Sequence, residues 1–382
     1  MSRGYDEIVA GLGAMGSAAC DHLAGRGLTV LGLDRYSPPH PHGSSHGESR
    51  IIREAYFEDP RYVPLVQRGY ECWEALERDT GRTLLRITGG LMIGPPDGVL
   101  VSGATRSAET HRLPHQRLSA RELRARFPQF AIDDTHVAVW EPRAGALDPD
   151  ACVVAQLERA RRRGAELRTD SPISGWQAVP GGLEVQTARG RERAAHLVLA
   201  AGAWMPELLG EDRLPLTVER MVLYWFDAAG DPGPFAPERL PIWIWEHESG
   251  RHFYGFPIHA RGIKVARHHE GETCTPATAR RDVSESEIAG MRALLARRLP
   301  GAAGPLREVA TCLYTNTPDS DFVIDRHPDH PNVVIVSACS GHGMKFASAI
   351  GEIVADLVTE GASRFDLAPF SASRPALRQV AP

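Results

Sequence analysis

A short, mainly apolar run at residues 5–10 leads into Gly11, Gly13 and Gly16, then a helical stretch to about residue 23, then a second apolar run at 28–33 that ends on Asp34. The start of the chain thus reads strand, glycine turn, helix, strand, acid. Leu65, Val66, Cys72, Trp73 and Leu76 recur at a helical period and predict a packing helix over 62–80. Residues 84–93 read as two short strands about Gly89 and Gly90, and Ser119 with Glu122 forms a capping box for a helix to about residue 126. Asp148 and Pro149 open a further helix that Gly164 closes. It leads to a strand at 195–199 and a turn holding Gly202 and Trp204. Beyond residue 215 the pattern changes to alternating segments at 220–226, 242–246, 252–256 and 262–266, separated by turns, which predicts an antiparallel sheet. Ser284 and Glu287 cap one more helix, and a last helix spans 344–359 with Gly361 as its stop. The tail from residue 371 is expected to be loosely held.

Length and composition narrow the classes open to such a chain. At 382 residues it is long for one core, so a split α/β architecture is expected. Residues 1–90, 148–210 and 317–382 are assigned to a dinucleotide-binding domain, and 91–147 and 211–316 to a mainly antiparallel β domain lying over the ligand. A net charge of -5 gives no reason to expect nucleic acid or a membrane surface as partner. No apolar run approaches the ~20 residues of a bilayer span, and no signal-peptide pattern opens the chain, so a cytoplasmic location is expected. The 6 cysteines show no CxxC pairing and read as thiols; no metal site is expected. Of 43 basic residues only Lys264 and Lys345 are lysine. Chance retention at the surface is one explanation, but a compact, titratable ammonium that guanidinium cannot replace is another.

Three stretches carry candidate chemistry. The GxGxxG turn lets backbone N–H groups approach a pyrophosphate at the positive end of a helix, and Asp34 can accept from a ribose hydroxyl. In the loop from residue 36 to 54, His46, Arg50 and Arg53 fall at spacings of four and three, which would place them on one face of a helical turn. The stretch 311–346 brings Cys312, Tyr314 and a Gly341-His342-Gly343 loop beside Lys345, a mixture that packing alone does not require. Cys312 taken alone reads as a buried structural thiol.

The pieces GSSHGESRIIR, FYGFP, GIKVARHH, TCLYTNTPDSDFVID and SGHGMKF, in this order after a GxGxxG start, resemble the monomeric sarcosine oxidase and N-methyl-tryptophan oxidase family of the D-amino acid oxidase superfamily. That resemblance implies an α/β fold with a Rossmann-like, glutathione-reductase-like FAD-binding domain, with FAD tied by a thioether to Cys312. It implies flavin contacts at Gly11, Gly13, Gly16, Asp34, Ser44, Arg50, Gly202, Trp204, Gly341, Gly343 and Lys345, and positive charge beside the flavin ring from His46 and Arg50. Arg53 and Lys345 match a clamp for the carboxylate of a small amino acid, with Tyr254, His268, Tyr314 and Trp245 around the same pocket. Lys264 matches a lysine that promotes oxygen reduction, and alternation along its strand would point Lys264, Ala266 and His268 to one sheet face. The implied reaction oxidises the C–N bond of a secondary amino acid to an imine and reduces O2 to H2O2, in a monomer. Ile242 to Trp245 and Met344 depart from the family pattern around the pocket. The alternatives are a cyclic imino acid (proline or pipecolate), N-methyl-tryptophan as substrate, or a flavin dehydrogenase with another acceptor.

Overall fold

Residues 4–210 and 214–378 are described by the computed structural model. The Tyr5–Ala10 strand sits at the middle of an 8-stranded sheet, parallel to Val30–Leu33 on one side and to Gly190–Leu199 on the other. Val333–Ser337 adds a further parallel pairing at Leu197 to Leu199, and Glu166–Arg168 closes the other edge. Strands buried on both faces need helices to cover them. Ala14–Gly25 and Ala347–Thr359 supply that cover on one face, and small residues set their approach: a Cβ on Gly351 would lie 2.6 Å from the backbone of Ala18. Pro149–Arg162 packs beside them, capped by Asp148 Oδ1 accepting from the Ala151 N–H at 2.9 Å.

The second sheet has 9 strands, with Thr217–Phe226 pairing both Gly262–His268 and Leu306–Asn316. It is antiparallel except where Ile242–Glu248 runs parallel to Gly90–Gly94. A third, 3-stranded sheet joins Arg50–Ile52, Gly145–Leu147 and Leu85–Ile87.

Several expectations are corrected. His46, Arg50 and Arg53 do not share a helical face, because Arg50–Ile52 is a strand paired with Gly145–Leu147. Both a helix and a strand leaving a loop can carry arginines at such spacings, and the partner strand decides. The helix Val99–Thr110 and the hairpin of Ile173–Val179 with Gly182–Thr187 had no counterpart in the sequence reading. The tail is tied down as far as residue 378: Arg374 is buried, pairs with Asp319 at 2.8 Å and donates to the Phe322 carbonyl at 2.7 Å. Residues 379–382 of that predicted tail lie outside the described residues.

Candidate active site

Steric demands at the glycine turn shape one end of a large cavity. Gly11 has φ +94°, and a Cβ there would lie 2.6 Å from the Ala200 carbonyl oxygen. A Cβ on Gly16 would meet the Gly11 oxygen at 1.7 Å, so this glycine brings helix and strand together and does not itself line the cavity. Asp34 accepts from the Leu12 N–H at 2.6 Å and the Tyr36 N–H at 2.8 Å, which fixes its carboxylate at the cavity wall. Ser44, Gly202 and Trp204 complete this end. Glycines at the tight turn, a helix starting at Ala14 and an acid after the second strand together fit the pyrophosphate and ribose of a dinucleotide.

The same cavity continues to Gly341, Gly343, Lys345, Arg53, Tyr254, His268 and Tyr314. Arg53 is 2 % exposed; its Nη2 reaches both oxygens of Glu58 at 2.8 and 2.6 Å, and its guanidinium lies 4.2 Å from the Tyr56 ring centre. Lys345 is 5 % exposed and donates to the His342 carbonyl at 2.6 Å, with the Tyr56 hydroxyl at 3.5 Å. Burial, then the neighbouring Arg53, push the Lys345 ammonium down to about 7 against the pull of Glu58. Burial alone would raise Glu58, but Arg53, His342 and Lys345 hold its carboxyl below the usual range. Two cations and one carboxylate therefore share a nearly dry pocket. His268 is held well below the usual histidine range by burial first and by neighbouring histidines second, so it presents a neutral ring. Tyr56 and Glu58 are the residues that sequence reasoning missed here. No local spacing singles them out, since Arg53 and Glu58 meet only because the chain turns after its strand.

A second group stands around Arg50. Its Nη2 donates to the Ser44 carbonyl at 2.7 Å and lies 3.5 Å from Cys312 Sγ, while Nη1 donates to the Ser49 carbonyl at 2.8 Å. Lys264, 1 % exposed, donates to the same Ser49 oxygen at 2.6 Å and to the Gly47 oxygen at 2.7 Å. Burial, then Arg50, bring its ammonium well below the usual lysine range. Arg50 thus links the thiol and the lysine through one carbonyl.

Residues 6–357 match the family described as FAD dependent oxidoreductase. The chain belongs to that family. It is 47% identical to the monomeric sarcosine oxidase of Streptomyces avermitilis over 98% of both chains. It is 35% identical to an N-methyl-L-tryptophan oxidase of Escherichia coli, covering 97% of this chain and 99% of that one. Among solved structures, NikD, an unusual amino acid oxidase essential for nikkomycin biosynthesis, superposes in its open form with a TM-score of 0.85 at 25% identity as a point mutant, covering 97% of each chain. Glycine oxidase from Geobacillus kaustophilus shares the fold at 20% identity with a TM-score of 0.82, covering 100% of each.

Not every candidate in this FAD-dependent oxidoreductase reaches the cavity. Trp245 is a correction: it is 0 % exposed, packs against Phe130 and Phe253 in the core beneath the sheet, and donates to His136 Nδ1 at 3.2 Å. Alternation along Ile242–Glu248 turns both tryptophans away, and Ile244 lines the cavity instead. His46 is buried with Nε2 unpartnered, and burial, then Arg50 and Lys264, lower it to about 3. It is therefore neutral, whereas Arg50 beside it keeps its charge. Cys312 is 1 % exposed and lies just behind the cavity wall, which Cys339 lines. Lys264 faces a different cavity.

Proposed function

We propose that this chain is an oxidase of small secondary amino acids, sarcosine and other N-methyl amino acids foremost, which converts the C–N bond to an imine and reduces O2 to H2O2. The observation that carries this reading is the meeting of Arg53 and Lys345, both buried, at the end of the cavity remote from the Gly11 turn. A substrate carboxylate takes the place that Glu58 now fills on Arg53, and exchanges one anion for another without stranding the guanidinium. Lys345 completes the charge balance while protonated. Tyr254, Tyr314 and Ile244 form the wall, and the neutral His268 ring lets the amine sit without a facing cation.

FAD bound along the cavity supplies the acceptor that takes two electrons from the C–N bond and passes them to O2. Gly11, Gly13, Asp34, Ser44, Gly202 and Trp204 would hold its dinucleotide end, and Gly341 and Gly343 its ring. Cys312 is the proposed thioether tether, supported by its place just behind the cavity wall with Sγ 3.5 Å from the Arg50 guanidinium. Lys264 is the proposed oxygen-activating cation, supported by its placement one carbonyl away from Arg50. The division into residues 1–90, 148–210 and 317–382 against 91–147 and 211–316, action as a monomer and residence in the cytoplasm belong to the same reading. Among the described residues no helix is long and apolar enough to cross a membrane.

The test is peroxide formation with a panel of sarcosine, N-methyl-tryptophan, proline and pipecolate, alongside anaerobic reduction of the flavin. Rapid reduction and peroxide with sarcosine are expected. Reduction without peroxide would mean a dehydrogenase, and no reduction by any secondary amine would end the assignment.

A further inference from the structure

His268 lines the main cavity, yet among the described residues no protein group hydrogen-bonds its imidazole. A ring without such a bond is oriented by what packs against it. Tyr254 stands edge-on to it at 6.4 Å and Tyr314 at 5.8 Å, and the His269 ring is nearest of the three at 4.2 Å. His269 also meets Tyr314 at 5.4 Å, so His268, His269 and Tyr314 form a closed set of three rings. The main chain at Gly341 bounds this set tightly, since a Cβ there would come within 2.7 Å of both His268 and Tyr314. The support that remains is His269.

His269 is in turn fixed by Glu219. It follows the last residue of the Gly262–His268 strand with φ +54°, a left-handed conformation that a histidine keeps only where its surroundings enforce it. The next two residues are both tied. The Glu270 carboxylate accepts from Arg251 at 2.6 Å and from Arg267 at 2.8 Å, and the Gly271 N–H donates to Glu219 Oε1 at 2.7 Å. Glu219 Oε2 lies 3.3 Å from His269 Nδ1 and accepts from Asn316 Nδ2 at 3.0 Å. Strand register brings these partners together, because Glu219 pairs with Tyr314 on one side and with Thr273 on the other. Burial alone would raise Glu219, but His269, the Gly271 N–H and Asn316 hold its carboxyl below the usual range.

Neither Glu219 nor His269 lines the cavity, so any effect they have on the reaction passes through the rings that do. We propose that Glu219 and His269 are positioning residues, which together hold the His268 ring, and Tyr314 beside it, in the orientation that presents the substrate amine for oxidation. The proposal rests on the oxidase reading above. On that reading Arg53 and Lys345 fix the carboxylate end whether or not Glu219 and His269 are in place. The two residues therefore govern how the C–N bond is presented and leave the hold on the acid group alone. A small misplacement of the reacting bond is felt in the rate of its oxidation.

The experiment removes the supporting ring with His269→Asn, since asparagine tolerates a positive φ and a side chain 33 % exposed leaves no core cavity behind. The limiting rate of anaerobic flavin reduction by sarcosine is expected to fall about tenfold in the holoenzyme, while the Kd for propionate and the rate of reoxidation change less than about twofold. Glu219→Ala is expected to slow reduction to a similar degree. Glu219→Gln is expected to restore most of the rate, because its amide oxygen still accepts from Gly271 and Asn316, whose Oδ1 is unpartnered, can turn to accept from the new NH2. In a His268→Asn background, His269→Asn is expected to slow reduction by no more than about twofold further. A crystal structure of the His269→Asn holoenzyme is expected to show the His268 ring rotated or in more than one orientation. Unchanged reduction, a loss shared equally by propionate affinity, full additivity with His268→Asn, Glu219→Gln as slow as Glu219→Ala, or a His268 ring left unmoved would each overturn the proposal. Failure of every amine to reduce the flavin would strike the substrate reading instead, and the position of the His268 ring would still decide this one.

Discussion

Lys264 donates to two main-chain oxygens offered by a single strained turn, whereas Lys345 donates to one carbonyl and stands open to a cavity shared with Arg53 and Glu58. Both are buried, and burial lowers both. What differs is the freedom to change partner. Arg53 already holds the Glu58 carboxylate beside Lys345, an anion that a substrate replaces on the proposed reading, so their region is arranged for exchange. Lys264 is fixed by groups that cannot leave, so its region is arranged to keep one charge in one place. An ammonium suits both tasks, and a chain otherwise supplied with arginine has kept its lysines at these two positions.

The largest expected effect lies on the Lys264 side of this contrast, where Arg50 joins Cys312 to the lysine. Cys312→Ser is expected to abolish the yellow colour that stays with acid-precipitated protein; colour retained as in wild type would remove the tether. Trp245 belongs to neither region and serves as the control between them. Trp245→Ala should cost about 3–5 kcal/mol in denaturant unfolding while the folded enzyme keeps its KM for sarcosine. A large KM change would return Trp245 to the pocket wall. Arg53→Lys keeps the charge but loses the planar fork, and is expected to lower kcat/KM by about thirtyfold, roughly 2 kcal/mol, without slowing reoxidation. The smallest effect is that of pH on the exchangeable lysine. Lys345 is charged below about 7 and neutral above it, so the affinity for propionate, a carboxylate without an amine, should be highest below that point. It should then fall as pH rises, by at most about tenfold per unit. A titration that is flat or strengthens between pH 6 and 9 would show that Lys345 does not hold the anion.

The two regions were also unequally legible. The dinucleotide turn could be read because its demands are local: Gly11 must take a positive φ and Gly16 must admit a carbonyl at close range, both within a few residues of sequence. The contact of Lys264 with the Gly47 oxygen spans 217 positions, and no spacing rule predicts it. Alternation placed Lys264 and His268 on a common strand face, yet they serve different cavities because the Gly47–Arg50 turn comes between them. Trp245 came to the pocket only through the resemblance, whereas alternation along its own strand turns it into the core and Ile244 toward the cavity. Glu58, the anion that the pocket already contains, belongs to no pattern and appears only when the fold closes beside Arg53.

The most direct test crosses the two lysines with the two halves of the reaction. Lys264→Met is expected to slow the reoxidation of reduced enzyme by about 10²–10³ while sarcosine reduces the flavin at nearly the wild-type rate. Lys345→Gln is expected to do the reverse, weakening reduction by sarcosine about a hundredfold and sparing reoxidation. If both variants slow the same half-reaction, the two lysines do not divide the work and the account is contradicted.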